Sequence, residues 1–252
     1  HNITPPEFFA PGSAHDEMTR RGYAQLARLA DRFDLAIGDS IYNLREFARF
    51  RTRPVPGVCV YPVIDRAALR AAPWTPAGDA APGRPAPEPL WLFVGRVAPN
   101  KRQDDLMRAF DRFVARTGTG RLVLVGATDA VPAYTRALEA LAASLDAGPR
   151  IRLTGSVPDA VLRGWYRAAD VFVCASQHEG FCVPLAEAMA FDVPIVALDR
   201  GAIGETVGEA GVLVGAWDPD AVAAQVATLL ASPARRAACA RAATARLRAF
   251  AP

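Results

Sequence analysis

Short apolar runs alternate with helical spacings along most of the chain. Leu90–Gly95 (LWLFVG), Arg121–Gly126 (RLVLVG), Ile151–Thr154, Asp170–Ala175 (DVFVCA), Val193–Leu198 (VPIVAL) and Gly211–Val214 (GVLV) are near-continuous apolar runs of strand length. Such runs suit strands buried on both faces. Between them, residues 103–116 place Leu106, Phe110 and Phe113 on one helical face. Further helices are predicted at 133–145, 158–169 and 184–190, with a short Gly-rich helix between the last two strands. Asp218-Pro219 and Ser232-Pro233 each set a capping side chain before a proline at the first helical position, which opens two terminal helices. Strands alternating with helices predict an α/β fold from about Leu90 onward: a Rossmann-like parallel sheet covered by helices on both faces. Ligands bind such sheets beyond the carboxyl ends of the strands.

The first 70 residues are patterned more sparsely. Tyr23–Arg32 reads as a helix, Leu35–Gly38 as a short strand, Ser40 as the cap of a helix through Phe50, and Gly57–Pro62 as another strand. So few elements make a poor core of their own, so residues 1–70 are read as the trailing part of a second, partial α/β domain. Ala71–Pro89 holds six prolines and two glycines and is read as an exposed linker. Residues 90–252 then form the main domain.

Composition narrows the class. Half the 252 residues are apolar (51%) and 22% are charged, as in a soluble globular protein. A net charge of +3 is too small to point to nucleic acid, and no apolar run is long enough to span a bilayer. Cys59, Cys174, Cys182 and Cys239 show no CxxC pair, so neither a disulfide framework nor a zinc site is expected, and a reducing cytoplasm is the expected setting. The Arg-rich last helix, 233–250, is read first as solvated, with peripheral membrane association as the alternative.

The chemistry concentrates where strands meet helices. In Gly95-Arg96-Val97-Ala98-Pro99-Asn100-Lys101, a glycine at a strand end admits a close ligand and two cations stand beside a helix start. That suits an anion such as a diphosphate, although a solvated basic loop fits the spacing equally well. After DVFVCA, the run Ser176–Glu187 (SQHEGFCVPLAE) carries Glu179 on the loop and Glu187 in the first turn of the next helix, with the amides of Gly180, Phe181 and Cys182 between. Carboxylates accept from hydroxyls, and sugars and riboses are arrays of hydroxyls. Gly201–Glu205 and the stretch after Gly126 mark two further turns at the same edge. GxGxxG after a strand, GxxxxGK[ST] and GxSxG are all absent.

These residues resemble the group 1 glycosyltransferases, the retaining family 4 of the GT-B class, over about Pro89–Val214 and more loosely over His1–Asp65. Glu179 and Glu187 match the family's E-x7-E motif, and Gly95, Arg96 and Lys101 match its GR-x4-K element. The resemblance implies a hexosyltransferase using a GDP- or UDP-hexose, with a glycan or lipid-linked acceptor and no metal or other cofactor. Residues 1–70 would then belong to an acceptor-side domain, most of which a missing segment or a partner chain would supply. Arg96 and Lys101 would neutralise the diphosphate, Glu187 would bind ribose, and Glu179 with the amides of Gly180, Phe181 and Cys182 would hold the sugar. The loop at Gly155–Val157 would meet the base, and His1 would be the histidine near the reacting sugar. The family often has glycine where Cys182 stands, and a second glycine near Thr128. Two alternatives stay open: an epimerase or phosphorylase on the same fold, and a donor-binding module inactive without a partner.

Overall fold

The computed structural model describes residues 2–76 and 88–251. His1 and most of the predicted linker, residues 77–87, lie outside the described residues. The dominant feature is a six-stranded, wholly parallel sheet in the order β5-β4-β3-β6-β7-β8, formed by Ile151–Gly155, Arg121–Val125, Leu90–Val94, Val171–Cys174, Ile195–Leu198 and Gly211–Val214. Every predicted strand of this region is present. The central strands are buried on both faces, with Trp91, Phe93 and Phe172 among the most deeply enclosed side chains.

Helices α4 (Gln103–Thr117), α5 (Pro132–Ser144), α6 (Asp159–Ala168), α7 (Val183–Ala190), α8 (Ile203–Val207), α9 (Pro219–Ala231) and α10 (Pro233–Leu247) flank the sheet. Leu106, Phe110 and Phe113 form the buried stripe of α4, which packs against α9, and Trp91 lies against Phe110 and Phe113. The Asp218 and Ser232 side chains cap α9 and α10 as their spacing predicts, accepting from Ala221 N and Arg235 N.

Ahead of this sheet, β1 (Ala36–Gly38) and β2 (Gly57–Cys59) pair in parallel through α2 (Ile41–Ala48), whose cap is Ser40. Ile37, Val58 and Val60 are 68%, 48% and 57% exposed, so this small sheet leaves apolar surface uncovered. The predicted helix at Tyr23–Arg32 is α1, which runs Ala14–Leu29 and gives way to a 3-10 turn at Ala30–Arg32. It starts far earlier than the apolar spacing suggests because Ser13 accepts from Asp16 N and so opens it, on a polar first turn with no hydrophobic signal. The last predicted strand of this part ends at Cys59 rather than Pro62. Asp65 caps an unpredicted helix α3 (Arg66–Ala71), whose Arg66 and Arg70 both reach Asp192.

Candidate functional site

The strand order reverses direction between β3 and β6: the chain winds outward to β4 and β5, then returns to the other side of β3. The loops leaving β3 and β6 therefore diverge and leave a crevice at their carboxyl ends. The first is anchored backbone to backbone, with Gly95 N bonded to Val125 O (2.8 Å) and Val97 N to Ala127 O (2.8 Å). Gly126, at φ +145°, sits so close that a Cβ there would lie 2.2 Å from Gly95 O. Gln103 Nε2 donates to Arg96 O at 3.0 Å, fixing the backbone while the Arg96 guanidinium stays exposed. Among the described residues it pairs with no carboxylate.

The second loop is tied to the first. Gln177 N donates to Asn100 O (2.9 Å) and Asn100 Nδ2 to His178 O (3.4 Å). Gly201, at φ +60°, packs against the Glu179 backbone, where a Cβ would come within 2.7 Å of Glu179 O, and Ala202 N donates to that oxygen at 3.0 Å. The Gly201 turn thus clamps the loop from behind. Among the described residues the amides of Gly180, Phe181 and Cys182 engage no acceptor, and they stand at the N-terminal, partially positive end of α7. Arg96, Lys101, Glu179, Gly180, Phe181 and Cys182 line one cavity of about 550 Å³.

Within it Lys101 Nζ and Glu179 Oε1 are 2.6 Å apart, with side chains 16% and 9% exposed. Burial works to lower the Lys101 pKa, but the adjoining Glu179 carboxylate outweighs it and the ammonium is held above its ordinary value. Lys101 is the only lysine among the chain's 29 lysines and arginines. A compact point charge is thus kept where every other basic position carries a planar guanidinium. His178 is buried, its pKa lowered first by that burial, and its Nε2 has no partner among the described residues.

Glu187 lies one turn further along α7, outside that cavity's wall. Its Oε2 accepts from Tyr166 Oη at 2.8 Å. Burial raises the Glu187 pKa, and the tyrosine hydrogen bond opposes but does not cancel the rise. Nothing in its spacing marked Tyr166, which is buried on α6 and reaches α7 only through the fold. Val157 follows β5, at the far edge of the sheet, half-buried and likewise outside the cavity wall. His1 cannot be placed. The first 70 residues contribute Asn2, Thr4 and Asp39 to the same cavity, and the Asn43 amide packs so near Gly180 that a Cβ there would lie 2.8 Å from it. A second cavity of about 410 Å³ shares Asn2, Thr4 and Arg96 with the first, and His15 and Arg21 are its other ionisable lining residues.

The crevice at the switch point is thus clamped by glycines, with a carboxylate on either side of unengaged amides. The family model described as glycosyl transferases group 1 matches residues 88–232. The chain belongs to this family. It is 34% identical over 233 residues to a D-inositol 3-phosphate glycosyltransferase of Kineococcus radiotolerans, covering 86% of this chain and 53% of that protein. It is 32% identical over 183 residues to the lipopolysaccharide core biosynthesis mannosyltransferase LpcC of Rhizobium leguminosarum bv. viciae, covering 71% and 51%. The chain therefore spans about half the length of these relatives. Among solved structures, the sucrose-phosphate synthase of Thermosynechococcus elongatus superposes with a TM-score of 0.78 at 25% identity, covering 99% of this chain and 62% of that one. Anabaena Alr3699/HepE, solved in complex with UDP-glucose, superposes at 0.80 with 22% identity, covering 100% and 67%, a likeness of fold. The fold is that of a GT-B glycosyltransferase. Among the described residues no helix is long and apolar enough to cross a membrane.

Proposed function

We propose that the chain holds the donor site of a retaining, metal-independent glycosyltransferase that moves a hexose from a UDP- or GDP-hexose to a hydroxyl of a glycan or lipid-linked acceptor. The observation that carries this reading is the single cavity joining Arg96, Lys101 and Glu179 to the unengaged amides of Gly180–Cys182. Departure of a nucleoside diphosphate builds negative charge on a phosphate oxygen. Arg96 and Lys101, beside a helix N-terminus, would stabilise that charge, the largest service such a site can render. Glu179 and the amides would then hold the sugar hydroxyls, Glu187 the ribose hydroxyls, and the main chain at Val157 the base. His1 is proposed beside the reacting sugar.

The acceptor is proposed to enter by the adjoining cavity that shares Arg96. Arg21 and Arg96 suit an acceptor that carries negative charge beside its hydroxyls, and the names of the D-inositol 3-phosphate glycosyltransferases describe such an acceptor for those proteins. The deciding experiment titrates the chain calorimetrically with UDP, GDP, ADP and their sugar conjugates without metal. One nucleotide should bind, and Arg96→Ala, Glu187→Ala and the charge-conserving Lys101→Arg should each weaken it by at least about tenfold. Absence of binding by all of them, or indifference to all three substitutions, overturns the donor reading. Release of free nucleotide in the presence of acceptor then separates transfer from binding alone.

A further inference from the structure

Two cysteines widely separated from the others in the chain's pattern meet behind the donor loop. Cys174 ends β6, fully buried between β3 and β7, and Cys182 is the residue before α7. With Glu179 Oε, their Sγ atoms form a group in which every pair lies within 4.8 Å. The Lys101 ammonium, 2.6 Å from Glu179 Oε1, already supplies the positive charge a metal ion would bring there. Cys182 holds a left-handed backbone, φ +71° and ψ +70°, a region that favours glycine and is costly for a side chain with a Cβ. Its thiol is aimed at Cys174 from that strained position, and Cys182, half-buried as a residue, also lines the donor cavity.

We propose that Cys174 and Cys182 are a redox modification site at which a peroxide forms a reversible disulfide that switches donor binding off. The regulatory half of this rests on the donor reading above. In the first step the Cys182 sulfur attacks one oxygen of the peroxide. The O–O bond breaks, and the departing hydroxide takes the thiol proton and leaves as water, so Cys182 becomes a sulfenic acid. The Cys174 sulfur then attacks the Cys182 sulfur, the S–O bond breaks, and a second water leaves with the Cys174 proton. Two thiols give up two electrons and two protons, and one hydrogen peroxide becomes two waters. Contact between the two thiols draws Cys174 below its ordinary range, which suits it to the second attack, and, with burial, holds Cys182 above its own, which slows the first.

The structural consequence follows from which side can move. A disulfide needs its sulfurs at about 2.05 Å. Cys174 is held in a central strand hydrogen-bonded on both sides, so the approach falls on the loop bearing Cys182. That loop carries the Gly180–Cys182 amides and Glu179, and drawing it inward removes them from the donor.

The test oxidises the full 252-residue chain with stoichiometric hydrogen peroxide and maps it without reduction. The expected product lacks two hydrogens within a Cys174–Cys182 cross-link, and titration with UDP and GDP shows affinity lowered by at least about tenfold and restored by dithiothreitol. Cys174→Ser should keep its nucleotide affinity through the same treatment. A sulfinic acid at Cys182 with no cross-link, a bridge through Cys59 or Cys239, or a Cys174–Cys182 bridge that leaves nucleotide affinity unchanged each overturns the proposal. A reduced chain that binds neither nucleotide overturns the donor reading instead, and the mapping still decides whether the bridge forms.

Discussion

At the scale of single residues, the site keeps groups that folding alone would discard. Glu187 is a carboxylate whose ionisation burial opposes, since its pKa stands above its ordinary value despite the bond from Tyr166. An acid with a raised folded-state pKa costs nothing while protonated, below its unfolded pKa. The stability it contributes is lost as pH rises through its folded-state value. Glu187→Gln keeps an acceptor for Tyr166 but cannot ionise. The variant should therefore gain stability relative to the parent as pH rises from 4 to 7, read as a widening difference in Tm, while its nucleotide affinity falls. A difference in Tm that is flat with pH would mean the carboxylate is not strained by its surroundings. Lys101 tells the same story from the cationic side: a chain that otherwise uses only arginine spends its one lysine in the crevice.

At the scale of elements, two glycine turns hold the crevice in shape from opposite sides. Gly201 leans on the Glu179 backbone, and Gly126 brings the end of β4 against Gly95 at the end of β3. Gly126 fails any side chain twice, since its φ of +145° disfavours a Cβ and Gly95 O would lie 2.2 Å from it. Gly126→Ala should cost at least about 2 kcal/mol of unfolding free energy in urea, the sum of backbone strain and overpacking. Nucleotide affinity should fall with it, because the Gly95–Arg96 backbone is what must shift. A neutral result would show that the two loops are free to separate.

At the scale of the whole molecule, the first 70 residues are joined to the main sheet by polar contacts as well as apolar ones. The Glu205 carboxylate accepts from Ile41 N (2.7 Å), Tyr42 N (3.0 Å) and Tyr61 Oη (3.0 Å), so α8 supplies the anion that caps α2. Nearby, Ile64 N bonds to Phe250 O (2.7 Å), and Tyr61, Phe181 and Phe250 pack ring against ring, linking the last helix to the loop that carries Glu179. Arg246 of the Arg-rich last helix lies over Tyr61 and Phe250 and donates to Thr206 O, so part of that helix's charge is structural. Glu205→Ala leaves the Ile41 and Tyr42 amides without their acceptor and should cost roughly 1–3 kcal/mol. Hydrogen exchange should quicken across residues 41–48 and stay unchanged in β3 and β6. Equal quickening in both would mean that the two parts unfold as one cooperative unit.

What the chain determined by itself is what depends on neighbours in sequence. Period and capping set the six strands of the main sheet and most helices, and the residue types at strand ends, Arg96, Lys101, Glu179 and Glu187, marked a donor-like edge. Both signals are local, and residues a few places apart carry them. α1 was misplaced because its first two turns are polar, and α3 was missed because six residues hold too little periodicity to register. Tertiary structure alone decided which edge residues share one cavity. Only strand order could put the loops of β3 and β6 side by side while Val157 went to the far edge. It alone set Tyr166 on Glu187, Gly201 behind Glu179 and Cys182 against Cys174. Each of these contacts joins segments that no spacing rule relates, because the packing of the sheet, not the chain between them, fixes the distance.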